Sequence, residues 1–138
     1  MAALTITAAN VVAGSNAVKE TGVAGVAVTA GQAVYRDPAT RKFLLADADS
    51  ATAAANSVDG IALHAAAPNQ PLTIQKSGDI NLGATLAIGT IYVLDSAAGG
   101  IAPAADLGAG EVAVVLGVAS TASNLRLAIQ NSGAKVPA

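Results

Sequence analysis

The sequence predicts an all-β domain, a single small barrel or sandwich built from two tandem β repeats with at most one short helix. The first observation behind this is a repeated phrase. Leu72-Thr73-Ile74-Gln75-Lys76-Ser77-Gly78 returns as Leu127-Ala128-Ile129-Gln130-Asn131-Ser132-Gly133, with five of seven positions identical. Two further matches precede it in the same order. Residues 31–37 match residues 89–95, and residues 58–62 match residues 115–119 with Gly60 opposite Gly117. Matches in a constant order mark a tandem repeat, over about residues 28–78 and 85–133, whose units share one core. The second observation is spacing. Short runs rich in Val, Ile and Leu recur every eight to twelve residues, separated by Gly and Pro. The third is core composition. The apolar fraction is 53%, and the aromatics are only Tyr35, Phe43 and Tyr92. A core of Val, Ile, Leu and Ala suits closely packed sheets.

The elements follow in order. Residues 1–20 stand outside the repeat. Leu4-Thr5-Ile6-Thr7 alternates apolar and polar, a strand pattern. Val11 and Val12 follow, then a turn at Gly14-Ser15-Asn16. This segment is either an edge strand of its own domain or an arm that reaches a neighbour. Residues 21–133 form the duplicated domain. Residues 32–46 read as a hairpin whose turn holds Asp37-Pro38, with Pro38 fixing φ at the second turn position. Residues 47–56 are the one helix candidate. They are Ala-rich, and Asp49 or Ser50 can cap the N-terminus. Residues 58–64 form a strand interrupted at Asp59-Gly60, a bulge signal. Leu72 to Lys76 is the next strand.

The second repeat runs the same way. Thr90 to Leu94 pairs across a Gly-rich turn with Ile101 and Ala102. Residues 106–110 hold too much Gly for a helix. Residues 111–120 are an almost unbroken apolar strand, as expected when both faces are covered. Leu125, Leu127 and Ile129 alternate and should face inward. From Ser132 the chain should fray, with residues 134–138 as a tail.

Composition narrows the function classes. Only 12% of residues are charged, against about 25% in an average soluble domain. So neutral a surface implies cover by other subunits. The net charge of −2 and scattered basic residues give no footprint for nucleic acid. There is no Cys, so neither a disulfide nor a thiolate metal site is possible. No run of about 18 apolar residues predicts a transmembrane helix. The N-terminus lacks the basic residues and apolar run of a signal peptide, so synthesis in the cytoplasm is expected.

No catalytic constellation emerges, and the expectation is a protein that is not an enzyme and takes no cofactor. His64 is the single histidine, without a second His or a Cys to share a metal. It reads as a surface or interface residue. Asp47 and Asp49, with Asp37 and Asp59 in nearby turns, fall short of a calcium loop and read as caps. Gly99-Gly100 and Gly108-Ala109-Gly110 match no phosphate-binding spacing and read as turns. Arg36, Arg41, Lys42 and Arg126 read as solvated, with salt bridges between subunits as the sharper alternative.

Several phrases carry a family resemblance. They are residues 29–35, Leu45-Ala46-Asp47-Ala48-Asp49-Ser50, Val58-Asp59-Gly60-Ile61-Ala62-Leu63, Gly89-Thr90-Ile91-Tyr92-Val93-Leu94 and Gly99-Gly100-Ile101-Ala102-Pro103. They resemble the capsid decoration, or cement, proteins of tailed bacteriophages over about residues 20–130. The resemblance implies a small, usually trimeric β protein on the outer capsid surface of the virion. Its partners would be the major capsid protein and further copies of itself. No active site is implied. The contact residues expected are Leu4, Ile6, Val11, Val12, Arg36 and Arg41. Two other classes stand beside this one. A receptor- or glycan-binding head of a phage fibre or bacterial surface protein would need an exposed aromatic platform, and there is no Trp. An enzyme would need a convergent set of groups.

Overall fold

The computed structural model describes residues 4–137. Ten strands form one curled antiparallel sheet, a half-barrel. They are β1 (Val11–Ala13), β2 (Val18–Val23), β3 (Ala33–Arg36), β4 (Phe43–Leu45), β5 (Gly60–Ala62), β6 (Pro71–Leu82), β7 (Ile91–Leu94), β8 (Ile101–Pro103), β9 (Val112–Ala119) and β10 (Asn124–Lys135). Helical structure among the described residues is confined to three short 3-10 turns, Ala8–Asn10, Ala53–Asn56 and Ala104–Asp106.

The strand order is β4-β3-β5-β6-β10-β9-β7-β8. With β7 to β10 set against β3 to β6, this order reads the same from both ends. The registers agree too. Val34 opposes Leu45, and at the same spacing Tyr92 opposes Pro103. Ala33 opposes Ile61, and their counterparts Ile91 and Val118 oppose each other. The two halves meet where β6 pairs with β10, from Asn81 opposite Asn124 to Ser77 opposite Ala128.

The matched glycines do the same job in each half. A Cβ on Gly60 would lie 2.7 Å from the Gln75 carbonyl oxygen, and one on Gly117 would lie 2.1 Å from that of Arg126. Each marks a strand whose backbone approaches its neighbour too closely for a side chain. Gly117→Ala should therefore destabilise by about 2–3 kcal/mol through overpacking. Urea denaturation measures this, and a change too small to detect would mean that the strands simply move apart.

β6 is longer than the repeat phrase suggests. It continues past Gly78, whose φ is +91°, and buries Ile80 and Leu82. The register against β2 slips between Val18 opposite Ser77 and Lys19 opposite Gln75. That bulge lets one strand serve both halves of the sheet. One of its edges carries β5 and then β10; the other carries β2 and then β1. The fully buried Gln75 spans the bulge, its Nε2 donating to the carbonyls of Ser77 and Asp79.

Three expectations need correction. The helix over residues 47–56 is reduced to the 3-10 turn Ala53–Asn56. Side chains take the backbone groups that a helix would use. Asp47 Oδ1 accepts from the Asp49 amide, Ser50 Oγ accepts from the Thr52 amide, and Asn56 Nδ2 donates to the carbonyls of Asp47 and Ser50. The C-terminal segment is strand as far as Lys135, which opposes Val112. The Val136 amide then donates to the Glu111 carbonyl. Finally, β9 is not covered on both faces, because Val118 is exposed.

Across the curl, the chain after β4 bonds to the other half. The Ala48 amide donates to Asp95, and the Val112 amide donates to Ala48. The main core lies inside this curl. It joins Ala33, Tyr35 and Ile61 to Tyr92, Leu94, Leu116, Leu125 and Leu127, with Ile129 half-buried at its margin. A second cluster covers the opposite face of the first half. There Ala24, Val28 and Ala66 pack on Val34, Phe43, Ala62, Leu72 and Ile74.

Candidate interaction surface

The expected contact residues do not share one surface. Leu4 and Ile6 are half-buried against the main core, and Val11 is buried in it. The Leu4 amide donates to the Ile101 carbonyl, and the Thr7 amide donates to that of Gly83. β1 pairs with β6. Leu4-Thr5-Ile6-Thr7 is not the strand its alternation predicts: residues 4–7 are held by two backbone hydrogen bonds and β1 begins only at Val11. Among the described residues, the N-terminal segment nevertheless packs on its own domain. The physical reason is that β6 and β8 both offer backbone partners beside an apolar surface. The part of the arm expectation that concerns residues 1–3 lies outside the described residues.

Arg36 is also engaged within the chain. Its guanidinium lies 2.8 Å from Glu20 and sits over the Phe43 ring at 4.7 Å from the centroid. Glu20 receives a second cation, Lys76, at 3.0 Å. The hydrogen bond from Lys76, with Arg36 adding to it, holds the Glu20 carboxyl below its ordinary range against a partial burial that pushes upward. Its contribution to stability is present above the unfolded carboxylate range and fades as pH falls through the lowered folded value. Of the six expected contact residues, Val12 and Arg41 are the ones that stand free at the surface.

The acidic residues are used locally. Asp37 accepts from the Ala39 amide and the Thr40 hydroxyl, and Asp59 accepts from the Arg36 amide. No three His, Asp or Glu side chains gather to hold a metal among the described residues. Asp47 is pushed above its ordinary range, first by burial, then by its hydrogen bond with Asp49 and the charges of Asp49 and Asp95. Raising pH through that interval ionises Asp47 more readily in the unfolded chain, so stability falls. Asp47→Asn should then raise the melting temperature at pH 7, while keeping the acceptor for the Asp49 amide. At pH 3, below both the folded and unfolded values, the difference should vanish. A variant less stable at pH 7 would show that the charge is compensated.

His64 is exposed. Its Nε2 accepts from the Thr73 amide, so Nδ1 carries the proton and donates to the Ala65 carbonyl. The ring patches β6 just beyond the end of β5. His64→Ala should cost about 1 kcal/mol, the usual value of one such bond.

Two open grooves lie on the surface. One of about 570 Å³ is lined by Thr5, Thr7, Asn10, Asn81, Thr85 and Ser123, among others. The other, about 450 Å³, opens where β10 leaves β6, between Lys76 and Asn131. Neither includes an aromatic residue; a further groove of about 320 Å³ has Tyr35 in its lining, with Val26, Leu44 and Leu45. Tyr35, Phe43 and Tyr92 are all buried.

The exposed apolar side chains are more telling. Val12, Val18 and Val23 lie on the β1–β2 edge. Ile88, Ile91 and Val118 lie on the outer side of β7 and β9 and in the turn before β7. Nothing in the composition or the periodicity singled out these last three. Their signal was the absence of charge, since residues 80–94 and 112–125 contain no Asp, Glu, Lys or Arg. Searches with the chain match no family model and no curated protein.

Proposed function

We propose that the protein is a structural subunit that decorates and stabilises a bacteriophage capsid by bridging neighbouring capsomers. The observation that carries this reading is the surface. Among the described residues, six large apolar side chains are exposed, three along the β1–β2 edge and three around β7 and β9, on a chain with only 12% charged residues. Covering such side chains would be the gain on assembly. The resemblance of residues 20–130 to decoration proteins supplies the kind of partner, the major capsid protein. It also supplies the expectation of a homo-oligomer, a trimer, on the outer surface.

The mechanism is mass action. A subunit that binds the assembled arrangement and not the separated capsomers stabilises the former, and several weak contacts per oligomer act together. The burial of all three aromatic rings counts against the glycan-binding head, since none is exposed enough for a sugar to stack upon its face.

The test uses particles of the phage that encodes this chain. Heads made without the gene should bind the purified protein in a fixed number of copies per shell. They should also regain resistance to heat or denaturant. Heads of unchanged composition and stability in the deletion, with no binding of added protein, would end this reading.

A further inference from the structure

The groove lined by Tyr35 joins apolar walls to a carboxyl. Leu44 and Leu45 of β4 and Val26 from the stretch after β2 form the apolar side. The loop after β4 adds Asp47 and the hydroxyls of Ser50 and Thr52.

Asp47 meets only negative charge. The charges that act on it are those of Asp49, on the same loop, and Asp95, which opens the β7–β8 turn of the other half. The two acidic stretches are tied together, because the Ala48 amide donates to the Asp95 carbonyl. Asp95 is 2% exposed, and its Oδ1 has no hydrogen-bond partner. Its match in the first repeat, Asp37, uses both oxygens within its own turn. The basic side chains pair elsewhere: Arg36 and Lys76 with Glu20, and Arg126 with Asp79. Among the described residues, none of the ion pairs involves Asp47, Asp49 or Asp95. A cation entering the groove would offset the repulsion among these carboxylates.

The acceptors suit a head with several donors. Ser50 Oγ accepts from the Thr52 amide and keeps a second lone pair. Exposed Thr52 adds another hydroxyl to the lining. An arginine has an apolar stem for one wall and five N–H donors for the carboxylate and hydroxyls of the other.

We propose that this groove receives an arginine side chain from a partner protein, with the stem against Val26, Leu44 and Leu45 and the guanidinium on Asp47. Charge complementarity selects the occupant: the groove supplies an unpaired carboxylate, and the partner supplies the cation. The site does not depend on the partner being a capsid.

Propylguanidinium, an arginine side chain without its backbone, tests this on the purified chain. In NMR titrations it should move the amide signals of Asp47, Ser50 and Thr52 to saturation. Propylurea has the same shape without the charge and should bind about tenfold more weakly. Asp47→Asn should weaken propylguanidinium by a similar factor. For the wild type, affinity should rise with pH through the range where Asp47 ionises and then level off, because the carboxylate is the form that pairs. Should Asp47→Asn disturb the loop, Thr52→Val repeats the test at an exposed position, with a loss of about threefold. Absent shifts overturn the proposal, and so does equal binding of propylurea or equal binding by Asp47→Asn. Putrescine separates a free polyamine from a side chain. Its second ammonium would face the apolar wall, so it should bind no more tightly than propylguanidinium. Tighter binding would overturn the assignment to a partner's arginine. Titration as expected, with heads that never bind the protein, leaves this site standing and ends the capsid reading. Heads that bind the protein, with no response in this groove, do the reverse.

Discussion

Deleting residues 4–12 should lower the melting temperature of the free protein by about 10 °C or more. Val11 is buried, and Leu4 and Ile6 are half-buried against the main core. Full burial of an aliphatic side chain contributes about 1.5–3 kcal/mol, so the three together lose about 4 kcal/mol before the relief of ordering entropy. The deletion also strips the backbone partners of Ile101 and Gly83 and opens the edge of β6. Two Ala substitutions, at Ile6 and Val11, should give more than half of the drop with the chain length unchanged. An unchanged melting temperature together with lost particle binding would return these residues to the role of an arm.

Phe43→Ala should destabilise by about 3–5 kcal/mol, the usual range for a buried ring. Phe43 is fully buried in the second cluster and is the one Phe of the chain. Its ring also lies under the Arg36 guanidinium, and Gly22 leaves room for it, since a Cβ there would stand 2.5 Å from Cε2. Removing the ring leaves a cavity between β2 and β4 and frees Arg36 from its seat. Phe43→Leu should recover more than half of the loss, because most of the volume returns. Denaturant midpoints with unchanged slopes measure both variants. A cost below about 1 kcal/mol for Phe43→Ala would mean that the second cluster is not a packed core.

The repeat phrase was enough to predict most of the sheet. Alternation in Leu125-Arg126-Leu127 fixed which side chains enter the core, and both Leu residues are buried there. Gly60 and Gly117 stood out as matched positions, and each proves to be a close backbone approach. Period-two patterns and glycine requirements are local, so they can be read along the chain. The contact residues were less legible. Leu4, Ile6 and Val11 are apolar whether they cover a neighbour or their own core, and Arg36 is basic whether it meets Glu20 or a partner. Their roles depend on which surface lies beside them.

Gln75 and Gln130 mark the boundary. They occupy the same place in the same repeated phrase, yet Gln75 is fully buried and bonded across a bulge while Gln130 is exposed. β6 has neighbours on both edges at that point, and β10, having left β6 after Ala128, has only β9. Similarly, Ile61 and Val118 hold matched positions, one buried and one open. The two hairpins, most of the strand positions and the matched glycines could be read from residues near one another in the chain, whereas β2, which has no apolar alternation, the extension of β6 past Lys76 and the partners of β5 could not. The contrast between Ile61 and Val118 comes from packing in three dimensions: Ala33 and Ile61 face the main core, whereas in the other half Tyr92 and Leu94 do and Ile91 and Val118 face away, so matched positions lie on opposite sides of the sheet.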